Sequence, residues 1–192
     1  VTRSAGDSSP QPDLVRSLLS SDDIENVPGS PDDLVRQPVE DASLFENPDP
    51  RGPCGAEVTQ PDFADAAISV FGTPEAPHAF VTQAVWDLPA GVAQEFLEEE
   101  RADLIPGCPP YTSETPFGEQ RVELLGEVAL PQLEADALAI RLRIRTSEGP
   151  TLYAGSLLVR KGSRLSNIGM FAENPVSEAF IRSVASLVSD VL

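Results

Sequence analysis

Along the first third of the chain the apolar residues come in short clusters separated by proline and acid. Leu14, Val15, Leu18 and Leu19 fall at helical spacing, which predicts a short helix over 13–19. Ser20, Ser21 and Asp22 then offer caps for a second short turn through Asn26. Prolines at 28, 31, 38, 48, 50 and 53 each remove an amide donor and restrict the residue before them. The stretch from Val27 to Pro53 therefore reads as mostly irregular, with one edge strand near Leu34 to Gln37. Ahead of all this, Val1 to Pro12 has almost nothing to bury and reads as a flexible tether.

The pattern then changes to strands. Ala67 to Phe71 and Ala79 to Leu88 alternate like half-buried strands, with Phe80, Thr82, Ala84 and Trp86 set against Val81, Gln83 and Val85. Pro89 opens a predicted helix running to about Asp103, with Val92, Phe96 and Leu97 on one face and Glu95, Glu98 and Glu99 on the other. Gly107 and Pro109 end it. Four further strands follow over 121–128, 136–146, 151–161 and 165–171, joined by turns rich in Pro, Gly, Ser and Glu. A closing helix is predicted with Asn174 as its cap and Pro175 at its first position, because Val176, Phe180, Val184, Leu187, Val188 and Val191 recur every three to four residues. The order predicts an α+β fold: an antiparallel twisted sheet of about six strands with helices packed mainly on one face. At 192 residues this is one domain, over 13–192, behind the tether.

Charge narrows the function. Thirteen Lys and Arg against 31 Asp and Glu give a net charge of −18, which opposes binding to nucleic acid or an anionic membrane surface. A cationic or neutral partner is compatible with it. No apolar run approaches the roughly 20 residues of a membrane span, so any membrane attachment is expected through an upstream lipid anchor.

The two cysteines, Cys54 and Cys108, each sit beside glycine and proline. With no histidines at ligand spacing, they read as a staple between two loops and point to an oxidising, extracytoplasmic compartment. Their bond would pin the end of the 89–103 helix to the entry of the sheet, at a gain of about 4 kcal/mol from restricting the unfolded chain.

Catalytic chemistry finds little support. His78 is the single histidine, and Ser156 lies in Ala-Gly-Ser-Leu-Leu rather than a nucleophile elbow, which opposes a serine hydrolase. Glu98, Glu99 and Glu100 are consecutive and fan around their helix as a solvated face. Glu46, Asn47 and Asp49 lack the alternating acidic pattern of a calcium loop, and the chain has too few thiols and imidazoles for zinc. No cofactor is expected. The weak candidates for ligand binding are Arg141 and Arg143, which with Arg145 line one strand face, and the amphipathic aromatics Trp86 and Tyr153. Against a binding role for the arginines, Glu123 and Glu127 on the preceding strand can pair with them across the hairpin.

The segments Leu18-Leu19-Ser20-Ser21-Asp22-Asp23-Ile24, Phe80-Val81-Thr82-Gln83-Ala84-Val85 and Leu88-Pro89-Ala90, the helix closing near Cys108, and the run Leu152 to Gly162 before a last strand and helix stand in a telling order. Over about Asp13 to Leu192 the chain resembles the PknH-like extracellular sensor domains of actinobacterial Ser/Thr kinases and related lipoproteins. The resemblance implies an antiparallel sheet with helices on one side, a ligand-receiving cleft and attachment at the outer surface of the cell. Family members commonly carry four cysteines where this chain has two, and no kinase domain or membrane span is present here. The expectation is therefore a free-standing, non-enzymatic lipoprotein of the envelope, sensor-like and binding an unknown small molecule or envelope component. The alternative is a structural or protein-interaction lipoprotein without such a ligand.

Overall fold

The computed structural model describes residues 12–31, 33–39, 51–59, 61–62, 65–74, 78–89, 91–115, 118–146 and 149–192. Of the expected tether over 1–12, residues 1–11 lie outside them, as does the acidic loop at Glu46, Asn47 and Asp49, whereas Pro12 opens the first helix. Elements follow the chain as α1 (Pro12–Val15), α2 (Ser21–Glu25), β1 (Val35–Gln37), β2 (Ala67–Gly72), β3 (Ala79–Asp87), α3 (Val92–Ala102) and β4 (Tyr111–Thr115). They continue with β5 (Gly118–Glu127), β6 (Asp136–Thr146), β7 (Leu152–Lys161), β8 (Arg164–Ala172) and α4 (Glu178–Val191).

All eight strands join one antiparallel sheet in the order β1-β2-β3-β8-β7-β6-β5-β4. The one long crossover runs from β3 to β4 at the far edge, and it carries α3 across the sheet. Two three-to-five-residue strands, β1 and β4, raise the count above the six expected. β4 is the unforeseen one, because Tyr111 to Thr115 holds a single large apolar residue and pairs only through its register with 118–122.

The expectation of helices mainly on one face is overturned. On one side α4 packs on β7 and β8, burying Phe180, Ile181, Val184 and Val188 against Leu157, Val159, Ile168 and Met170. Leu19, Ile24, Val27 and Leu34 of the N-terminal segment extend that core, and Leu14 joins Ala67 and Val85 beside it. On the other side α3 buries Ala93, Phe96 and Leu97 against Ala84, Trp86, Leu138, Ile140, Leu158 and Leu165. The central strands are thus covered twice, which is why Leu157-Leu158-Val159 is a continuous buried run rather than an alternation.

Local chemistry sets the helix ends. Ser20 caps α2 in a reciprocal capping box with Asp23. The closing helix starts three residues later than expected, at Glu178, because the Ser177 side chain accepts the Phe180 N–H at 3.1 Å and takes the capping role assigned to Asn174. α1 is a single turn, shorter than its apolar spacing suggested. Its continuation is held instead by Gln83, whose side chain binds the backbone of Ser17 and Leu19.

Candidate functional site

Two concavities open beside the sheet, one at the end of its strands and one under α3. The larger, of about 680 Å³, lies at the end of the sheet where β3 begins and β8 finishes. Three segments line it: Gly29 to Pro31 with Asp33, Thr73 and Pro74 with His78, and Glu173 to Ser177 ahead of α4. Its apolar surface comes from both faces. Val81, Met170 and Phe180 form the buried floor, while Phe80 and Phe171 stack with ring centroids 4.6 Å apart and planes 17° off parallel. Phe80 remains 36% exposed, so this pair presents aromatic surface to solvent.

Backbone geometry holds the groove open. The Thr73 N–H donates to the Ala79 carbonyl and the Ala79 N–H to Thr73 Oγ1, each at 2.9 Å, and the Glu173 N–H donates to the His78 carbonyl at 3.3 Å. Gly29 has a φ of +81°, and a Cβ there would stand 2.6 Å from Ser177 Oγ, so this glycine lets the 29–33 loop meet the start of α4. At Gly169 a Cβ would reach within 2.5 Å of the Phe171 ring, so the missing side chain is the floor on which that ring lies.

The second concavity, about 130 Å³, lies between α3 and the sheet under the loop 51–58. Ile140, Leu142, Leu158 and Phe96 supply apolar wall, and Glu100, Ser156 and Asn167 present polar groups into it. The loop is fastened from three sides. Cys54 is bonded to Cys108, Asp103 accepts the Cys54 N–H at 2.6 Å, and Glu99 accepts the Thr59 N–H at 3.4 Å. Gly52 is pressed against Asp103, where a Cβ would lie 2.6 Å from Oδ2. Burial beneath this loop, with the neighbouring Asp103 and Glu99 charges adding to it, pushes the Glu100 carboxyl up to about 7. A carboxyl at that value changes charge near neutrality, a property that sequence alone, which placed Glu98 to Glu100 on a solvated face, did not reveal.

The remaining sequence candidates occupy other places. Trp86 is buried beneath α3 and donates from Nε1 to the Asp62 carbonyl at 2.9 Å. Arg141 reaches Glu178 of α4 at 3.0 Å. Arg143 donates from Nε and Nη2 to Glu123 Oε2 at 3.1 and 2.5 Å, and the guanidinium holds the Glu123 carboxyl below its usual range. Tyr153 stands directly across from Arg143 in the β6–β7 register. Glu127 does not join the ion pairs, because a bulge at Leu125 shifts it opposite Ile140. None of these four candidates lines either concavity.

His78 and Ser156 are divided between the two concavities. Two serines share the groove with His78, but Ser177 caps α4 and Ser30 donates to the Pro31 carbonyl. Among the described residues no hydrogen bond joins His78 to a serine and a carboxylate. No helix among them is long and apolar enough to cross a membrane.

No family model and no curated protein matches the chain. Among solved structures it is similar to the extracellular domain of PknH from Mycobacterium tuberculosis, with a TM-score of 0.58 and 12% identity, over 95% of this chain and 97% of that one. The two share a fold.

Proposed function

We propose that this chain is a non-enzymatic, extracytoplasmic sensor-like domain that takes a small molecule or an envelope component into the sheet-end groove. The observation that carries the reading is the groove itself: a concavity of about 680 Å³ with an apolar floor and a few polar groups at its rim. That volume and lining match the usual dimensions and chemistry of small-molecule sites. The Cys54–Cys108 bond and the fold shared with an extracellular domain support a location outside the cytoplasm. Within this reading the chain is a lipid-anchored protein of an actinobacterial envelope, with the stretch 1–12 as its tether.

The rival reading is a docking protein without a ligand. Among the described residues the exposed large apolar side chains Val15, Val35, Val92, Ile105 and Leu125 lie on separate segments of the chain, whereas Phe80 lines the groove. The test is a groove-filling substitution. Ala172→Trp places an indole in the groove from its half-buried rim, and ligand-observed NMR against a library of envelope metabolites is compared between the two proteins. Binders of the wild type that the variant no longer takes support the reading. Equal binding by both would refute it.

A further inference from the structure

We propose that the groove selects an amphipathic organic cation, an ammonium group carried on an apolar or aromatic body. This rests on the reading above and adds the chemistry of the occupant. Among the described lining residues the ionisable groups are Asp33, Glu173 and His78, with no arginine or lysine. Glu173 is half-buried at the end of β8, and no hydrogen bond or ion pair to its side chain occurs among the described residues.

The contrast with the rest of the molecule gives this weight. Arg141, Arg143, Arg160 and Arg182 are each paired to a carboxylate on or beside the sheet, and none of the four lines the groove. A carboxylate beside apolar wall attracts a cation more strongly than it does in bulk water, since the local dielectric is lower. An anion entering here would face Asp33 and Glu173 with no arginine or lysine among the described lining residues.

The aromatic pair supplies the second half of the specificity. Phe80, partly exposed and stacked on Phe171, turns ring surface to the groove, and a ring face is electron-rich, attracting ammonium groups as well as apolar bodies. On the sheet's other face Phe180, Val81 and Met170 form a floor with no polar side chain, suited to a hydrocarbon or aromatic segment. The net charge of −18 draws cations toward the molecule from a distance.

The experiment uses the intact, oxidised chain and three probes of matched shape: phenethylammonium, phenethyl alcohol and phenylacetate, titrated by protein-observed NMR at low and moderate salt. The ammonium is expected to bind about tenfold more tightly than the alcohol, a preference that salt weakens, with phenylacetate weakest. Glu173→Gln is expected to bring the ammonium down to the level of the alcohol while leaving the alcohol unchanged. Phe171→Ala is expected to weaken all three. Equal affinities in the wild type, or a cation preference that survives in both Glu173→Gln and Asp33→Asn, would overturn the proposal while leaving the groove reading intact. Absence of binding by every probe at millimolar concentration would also overturn it, and the Ala172→Trp comparison then decides the parent reading separately.

Discussion

The Gln83 side chain accepts the backbone N–H of Leu19 at 2.7 Å, from a position in β3 that is wholly buried. The same amide donates to the Ser17 carbonyl and to Ser166 Oγ, each at 3.2 Å, so one side chain fastens the N-terminal segment to two central strands. Gln83→Ala strands these groups away from water and is expected to cost about 2 to 4 kcal/mol. Guanidinium unfolding measures it; a loss below 1 kcal/mol would mean that water replaces the amide.

Glu100 gives stability a pH dependence with a defined sign. Its folded value of about 7 lies above the ordinary 4.5, so the folded protein holds this proton more tightly than the unfolded chain does. The carboxyl is therefore neutral and harmless below about 4.5, and its ionisation destabilises the fold progressively as pH rises through 7. Glu100→Gln is expected to raise the melting temperature at pH 8, by up to about 3 kcal/mol in stability, and to leave it nearly unchanged at pH 4. A uniform shift across that range would assign the effect to packing.

The disulfide closes a loop spanning 54 positions between Cys54 and Cys108. Its reduction, or replacement of both residues by serine, is expected to lower stability by about 4 kcal/mol. Because the same bond holds the lid over Glu100, the pH dependence above should flatten in the reduced protein. Retention of the full pH effect would show that Asp103 and Glu99 fix the loop without it.

At Gly155 a Cβ would stand 3.0 Å from Ile181 Cδ1 and 3.2 Å from Met170 Cε. Gly155→Ala is thus expected to push α4 off β7 and to cost about 1 to 3 kcal/mol by overpacking. Denaturant midpoints report it, and a neutral result would mean that both flexible tips move aside.

Much of the sheet is legible in the sequence, since β2, β3 and β5 to β8 all show in their apolar patterns. What misled was the reading of alternation. Ala84-Val85-Trp86 and Leu157-Leu158-Val159 are unbroken apolar runs, the mark of strands covered on both faces, yet strict alternation in β6 drew the eye to a single core. Asn174-Pro175 is a stronger local signal for the N-cap of α4 than Ser177, and it is the Phe180 N–H bond to the Ser177 side chain that shows where the helix begins. Cys54 and Cys108 were legible because two lone cysteines leave one pairing. The groove was not, because its walls come from Gly29 to Pro31, from Thr73, Pro74 and His78, and from Glu173 to Ser177, which no local pattern connects.

The most direct test of the ligand-binding account is native mass spectrometry of the protein recovered from the cells that make it, beside the Ala172→Trp form recovered in the same way. The account predicts a bound mass on the wild type, with the disulfide intact, that the groove-filled variant lacks. The same bound mass on both forms, or none on the wild type even after in-cell cross-linking, would contradict it.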